Sequence, residues 1–265
     1  MPKLPQEYRF VDLSDYSRPI ARALVQSLFK TPVSSIHLTV AFFVAGLLGI
    51  YFVYQKSFLL AALFLMIKNI LDAADGEMAR VRKHPTYTGR YLDSIFDFFV
   101  NLGLFYVLYV LTGASIWLFV ASFLGLEFQG TIFNYYYLVQ RKLRRGDATS
   151  KINEFERPVA FDYENPHFVR VLHLGYLACY GLFDGIMLRL DQSALGERPL
   201  PNWFMTLVSS IGLGFQILLI VLFLLIGRVE YILPFFLFYT LWGVVIILIR
   251  KMVVHNVEPE EEDRL

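Results

Sequence analysis

The chain has 265 residues, a formal net charge of +1 and 56% hydrophobic side chains, with a mean hydropathy of +0.51. Soluble domains average about 45–50% apolar, so the excess excludes an ordinary soluble domain and points to lipid-embedded segments. The near-neutral charge selects no partner, no nucleic acid is expected, and the single cysteine, Cys179, excludes an internal disulfide.

The first thirty residues hold Glu7, Asp12 and Asp15 without an apolar core, unlike a cleaved signal peptide. Over 17–30, Arg18, Arg22, Gln26 and Lys30 recur every four residues while Ile20, Leu24 and Leu28 line another face. With Pro19 in the first turn, this predicts an amphipathic helix on the membrane surface, its basic side toward anionic headgroups. A helix packed on the protein's own core is the alternative.

Five apolar runs, 36–54, 91–112, 115–139, 203–226 and 229–250, are about as long as the ~20 residues that cross a bilayer. A sixth, 57–78, is apolar until it meets acidic residues near its end. Lipid leaves backbone polar groups no outside partner, so these runs are helices. Arg80, Arg82 and Lys83, then Arg141, Lys142, Arg144 and Arg145, then Arg250 and Lys251 follow alternate spans, whereas the opposite loops carry little positive charge. Six spans with both termini and the basic loops in the cytoplasm satisfy this pattern. The stretch 168–190 holds Arg170, His173, Asp184 and Arg189; a seventh crossing there would put Arg250 and Lys251 outside, so an interfacial or half-buried helix is expected.

The expected fold class is therefore an all-α integral membrane protein of six transmembrane helices with an N-terminal amphipathic juxtamembrane helix. Residues 1–35 form a cytoplasmic segment and 36–253 the transmembrane domain, with 140–202 as a cytoplasmic or interfacial insertion and 254–265 as an acidic tail.

The chemistry lies between Asp72 and Asp97. Asp72 and Asp75 are three apart at the end of the second span, and Asp93 and Asp97 four apart at the start of the third. Each pair shares a helix face, and the short intervening loop makes the two helices antiparallel neighbours. Four carboxylates beside lipid are costly and mark a site. Oxygen ligands select hard divalent ions, Mg²⁺ first and then Mn²⁺ or Ca²⁺, and four acids suit two ions clamping a displacement at phosphorus. Gly76 and Ala79 leave the acidic face without bulk, as does Gly89 on the next helix; helix packing by small residues is the competing explanation.

Asp72-x2-Asp75-Gly76-x2-Ala79-Arg80-x8-Gly89-x3-Asp93-x3-Asp97 resembles the signature of the CDP-alcohol phosphotransferase (phosphatidyltransferase) family at all eight positions. The resemblance implies that Asp72, Asp75 and Asp93 hold the metals, while Asp97 touches the second ion and acts as the base. It further implies that Gly76, Ala79 and Arg80 line the cytidine and phosphate pocket, with Thr86 contacting the nucleotide. A homodimer, a CDP-activated lipid or alcohol donor, an acceptor alcohol, release of CMP and a role in phospholipid biosynthesis are implied as well. Two departures concern substrate detail: Ser35-Ile36-His37-Leu38-Thr39 keeps only the Thr of a frequent Pro-Asn…Thr entry, and Phe98 stands where many members have Arg.

CDP-diacylglycerol is the favoured donor, with a CDP-linked small alcohol and a lipid diol as the alternative pair. Asn101, Glu127, Gln129 and Asn134 are candidates for an acceptor pocket or for bonds between helices, and the Arg141 cluster for a phosphorylated acceptor or a topology signal. A cation-coupled transporter is the rival from another class; its site would sit nearer the midplane, on broken helices of a repeat.

Overall fold

Apolar runs interrupted by turn formers become helices here, and the ends carry recognisable stop and start signals. Residues 10–143, 154–196 and 199–254 are described in the computed structural model, and among them every regular element is helical. They are α1 (Arg18–Leu28), α2 (Ser35–Tyr54), α3 (Phe58–Val81), α4 (Tyr87–Thr112), α5 (Ile116–Leu143), α6 (Pro166–Leu190), α7 (Asn202–Ser209), α8 (Leu213–Leu225) and α9 (Ile232–Ile249). Ser34 opens α2 with a reciprocal cap: its hydroxyl accepts from the His37 N–H, and His37 Nδ1 accepts from the Ser34 N–H at 2.9 Å. Thr86 opens α4, accepting the Gly89 N–H at 3.0 Å. Gly113, with φ of 64°, ends it.

Six passes run along the bundle: α2, α3, α4, α5, the α7–α8 pair and α9. Length and apolarity alone select α2, α4, α5, α6 and α9, plus the bent α7–α8 pair. α3 fails that test because Lys68, Asp72 and Asp75 fall within it, yet it is 24 residues long and packs along both α2 and α8. α6 satisfies it on composition, but its contacts differ from those of a crossing helix. The Glu164 carboxylate, just before α6, accepts from the Tyr87 and Thr88 N–H groups at the start of α4 (3.1 and 2.8 Å). Asp191, just after it, accepts from the Tyr136 hydroxyl and from Arg250, both at 2.7 Å, where α5 and α9 finish. Both ends of α6 are thus tied to the same end of the bundle, so it lies across α4 and α5.

The run 203–226, expected as one span, is instead two helices bent by 42°. Ser209, Ser210 and Gly212 interrupt the apolar run at Ser209–Leu213, and the freed backbone finds partners: the Ser210 carbonyl accepts the Tyr239 hydroxyl at 2.8 Å. The N-terminal segment plugs the break, with the Leu13 N–H on Ser209 Oγ at 2.9 Å. Gly214 is obligatory there, because a Cβ would lie 1.9 Å from the Ser14 carbonyl oxygen.

α1 forms as expected, an amphipathic helix, and one face of it packs on the bundle. Its buried face is Ala21 and Val25, with Leu24 and Leu28 half-buried against Ala74 and Met78 of α3, while Ile20 is exposed. Arg18 and Arg22 pair with Glu77 of α3 at 3.3 and 3.5 Å. Arg18 and Arg22 are therefore engaged by the protein rather than left for headgroups. Arg144, Arg145 and the acidic tail lie outside the described residues.

Candidate active site

α3 and α4 run antiparallel from a five-residue connection, so acids near the end of one meet acids near the start of the other. Asp72, Asp75 and Asp93 each offer an oxygen, all within 4.8 Å of one another. Asp75 is buried, and Thr39 of α2 donates its hydroxyl to Asp75 Oδ2 at 2.6 Å. The Thr retained from the family's usual span entry therefore orients a proposed metal ligand. Asp93 Oδ1 is buried with no hydrogen-bond partner among the described residues. An orphaned carboxylate oxygen facing two further carboxylates is costly unless a cation completes the group. The all-oxygen donor set fits a hard divalent ion, with Asp72, Asp75 and Asp93 as the residues that would hold it.

Asp97 stands one turn deeper and apart from this triad. Its Oδ1 meets Lys68 Nζ, which also reaches Asp72 Oδ2 at 2.9 Å. Lys68 is 1% exposed, with its ammonium 4.9 Å from the centre of the Phe42 ring. The fourth aspartate is therefore beside the cluster but paired with a lysine that the motif analysis passed over. A single Lys inside an apolar run, one turn before Asp72, was the available signal.

A cavity of about 360 Å³ opens over Asp75 and Asp93. All four residues expected at the nucleotide, Gly76, Ala79, Arg80 and Thr86, line it, together with the basic side chains Lys83, Arg90 and Arg141. A Cβ at Gly76 would sit 3.2 Å from Arg80 Nη1, a close contact that would push on a guanidinium folded back to Glu77 at 2.9 Å. Gly89 lies under the capping hydroxyl, where a Cβ would come 2.7 Å from Thr86 Oγ1. Thr86 thus serves first as the helix cap, and its position on the rim follows from that. Arg90 is held by an ion pair to Glu154.

A second cavity, of about 170 Å³, reaches Asp93 and Asp97 from the α5–α6 side. Glu127, Asn134, Tyr176, Tyr180 and Asp184 line it, and no lysine or arginine appears among its described lining residues. Asn101 and Glu127 face it as a bonded pair at 2.9 Å. Gln129 turns away, donating to the Phe236 carbonyl at 3.1 Å, and is a bond between helices. Phe98, in the place of the family's frequent Arg, packs edge-on to Tyr180. The contribution of α6 was invisible in the sequence, because 140–202 carries no motif.

Residues 33–160 match the CDP-alcohol phosphatidyltransferase family. The matched segment holds the four aspartates, Lys68 and the whole lining of the larger cavity. No curated protein matches the chain. The family is metal-dependent and uses CDP-alcohol donors and alcohol acceptors in membranes, which agrees with a helical bundle carrying an acidic cluster. The chain carries a CDP-alcohol phosphatidyltransferase domain at residues 33–160 and is an integral membrane transferase of phosphorus-containing groups, acting by phosphoalcohol transfer in phospholipid synthesis.

Proposed function

We propose that the chain transfers a phosphatidyl group from CDP-diacylglycerol to the hydroxyl of a small polar alcohol, releasing CMP. One observation carries this reading: two cavities of opposite character share Asp93, one lined by four basic side chains and the other by carboxylates, amides and phenols. A diphosphate suits the first, and a hydroxylated acceptor the second. At about 170 Å³ and with so polar a lining, the second is unsuited to a diacylglycerol, which favours placing the lipid on the donor.

In this reading Gly76 and Ala79 let the cytidine diphosphate approach the α3 backbone, and Arg80 neutralises a phosphate oxygen. Mg²⁺ or Mn²⁺ on Asp72, Asp75 and Asp93 would supply charge neutralisation for the diphosphate. The acceptor oxygen forms a bond to the phosphorus bearing the lipid alcohol, and the bond from that phosphorus to the CMP oxygen breaks. The hydroxyl proton passes to Asp97, which lines the acceptor cavity one turn beyond Asp93. A second ion would need Asp97 as a ligand, and Asp97 Oδ1 is already met by Lys68.

The same reading puts this end of the bundle in the cytoplasm. Arg80, Arg82, Lys83, Arg141, Lys142, Arg250 and Lys251 lie there, against Lys56 and Arg228 at the other end. α6 is then an interfacial helix, with Val171, Leu174, Leu182 and Ile186 exposed along one side for the acyl boundary. Assembly as a homodimer, as the family resemblance implies, belongs to this reading and is checked by the mass of the detergent-solubilised particle.

The test is CMP release by the purified full chain, followed by mass spectrometry with Mg²⁺ present. CMP should appear with CDP-diacylglycerol plus one of a panel of small alcohols. Release from CDP-ethanolamine plus diacylglycerol, with none from CDP-diacylglycerol, would reverse the donor assignment.

A further inference from the structure

A fully buried lysine in a membrane helix is costly unless its charge is matched. Lys68 is matched twice, by Asp72 on its own helix at 2.9 Å and by Asp97 on α4. Asp97 is also the carboxylate that the family resemblance assigns to a second ion. The three-acid group Asp72, Asp75 and Asp93 has its oxygens within 4.8 Å of one another, and among the described residues its one lysine ion pair is at Asp72. One part of the acidic cluster is therefore open to a cation, and the other already contains one that is covalently tethered.

The tether leaves little freedom. Lys68 is 1% exposed and the Phe42 ring beneath its ammonium 0% exposed, so the side chain cannot swing to solvent without opening the α2–α3 contact. An ion entering between Asp72 and Asp97 would meet a fixed positive charge a few ångströms away. Two like charges so close at low effective dielectric repel strongly.

We propose that Lys68 is an internal counter-ion that keeps the second divalent site closed in the free enzyme, so that the ions load in order. The first binds Asp72, Asp75 and Asp93. The second is held only when a donor diphosphate brings further negative charge and oxygen ligands. Lys68 acts through Asp97 and is a positioning residue: it holds that carboxylate toward the acceptor cavity until the donor arrives. The proposal rests on reading the three-aspartate group as the ligands of a divalent ion.

The experiment counts Mn²⁺ bound to the purified full chain by the EPR signal of the free ion, with and without CDP. The unaltered protein should bind one ion tightly without CDP, a second at least ~100-fold more weakly, and two when CDP is added. Lys68→Met should bind two ions of similar affinity without CDP, and Lys68→Arg, which keeps the charge, should stay at one. Two equally tight ions on the unaltered protein without CDP would overturn the proposal, as would a single tight ion on folded Lys68→Met. The unaltered protein decides the first point even if Lys68→Met fails to fold. No tight ion under any condition would instead bring down the three-aspartate metal site on which the proposal stands.

Discussion

The two sides of α4 differ sharply in what they present. On the α2–α3 side the cavity collects Arg80, Lys83, Arg90 and Arg141 around glycine and alanine. On the α5–α6 side it collects Asp97, Glu127 and Asp184 with amides and phenols. The two meet at Asp93, which belongs to both linings. In the proposed function, the difference teaches how one short helix segment can separate two substrates: basic side chains beside Asp75 and Asp93 suit a diphosphate, and their absence from the other lining suits a hydroxyl and its proton.

The largest effect that can break this comparison is removal of the ion at its boundary. Chelation with excess EDTA should abolish CMP release, and Mg²⁺ or Mn²⁺ should restore it, because Asp72, Asp75 and Asp93 are then left mutually repelling. Next comes the donor side. Gly76→Leu should fold in detergent yet weaken CDP-donor binding by roughly 10–100-fold in calorimetry, since overfilling a fitted space costs about 1–3 kcal/mol. Unchanged binding would make Gly76 a helix-packing residue only.

The acceptor side predicts a smaller and separable effect. Glu127→Gln should raise the acceptor KM by about tenfold, the scale of one charge-assisted hydrogen bond, while donor affinity stays constant. Equal loss of donor affinity would mean that the two cavities are not separate subsites. The smallest change concerns placement alone. In a Cys179→Ala background, a cysteine at Asp162 should resist an impermeant thiol reagent in intact cells, and one at Gln55 should react. Reaction at Asp162 from outside would invert the orientation and leave the chemistry standing.

What could be read from the residues and what could not follows from how far apart the partners lie in the chain. The motif from Asp72 to Asp97 is local, so its spacing on two adjoining helices already brought the acids together, and the span limits of α2 to α5 shift by only a few residues. The Thr39–Asp75 bond joins residues 36 apart, and no periodicity reports such a contact. The break at Ser209–Leu213 was hidden because its flanks are as apolar as an intact span; the Ser-Ser-Ile-Gly-Leu-Gly run was the only trace. α6 could be judged from its charges, but its tie to both α4 and α9 needs Glu164 and Asp191, two acids with no motif around them. Lys68 stands outside the motif, and only the fold sets it between Asp72 and Asp97.

The division of labour within the cluster is tested most directly by Asp75→Asn and Asp97→Asn side by side. Asp75 lies in the cavity proposed for the donor and in the three-oxygen group, whereas Asp97 lies in neither and faces the cavity proposed for the acceptor. Binding of the CDP donor with and without Mg²⁺ is measured for both variants, together with single-turnover rates. Asp97→Asn should retain most of the Mg²⁺-dependent donor affinity and lose turnover by ~10²–10⁴-fold, the usual contribution of a general base. Asp75→Asn should lose both. Equal loss of donor binding in the two variants would contradict the account, making Asp97 chiefly a ligand and leaving the proton to another group.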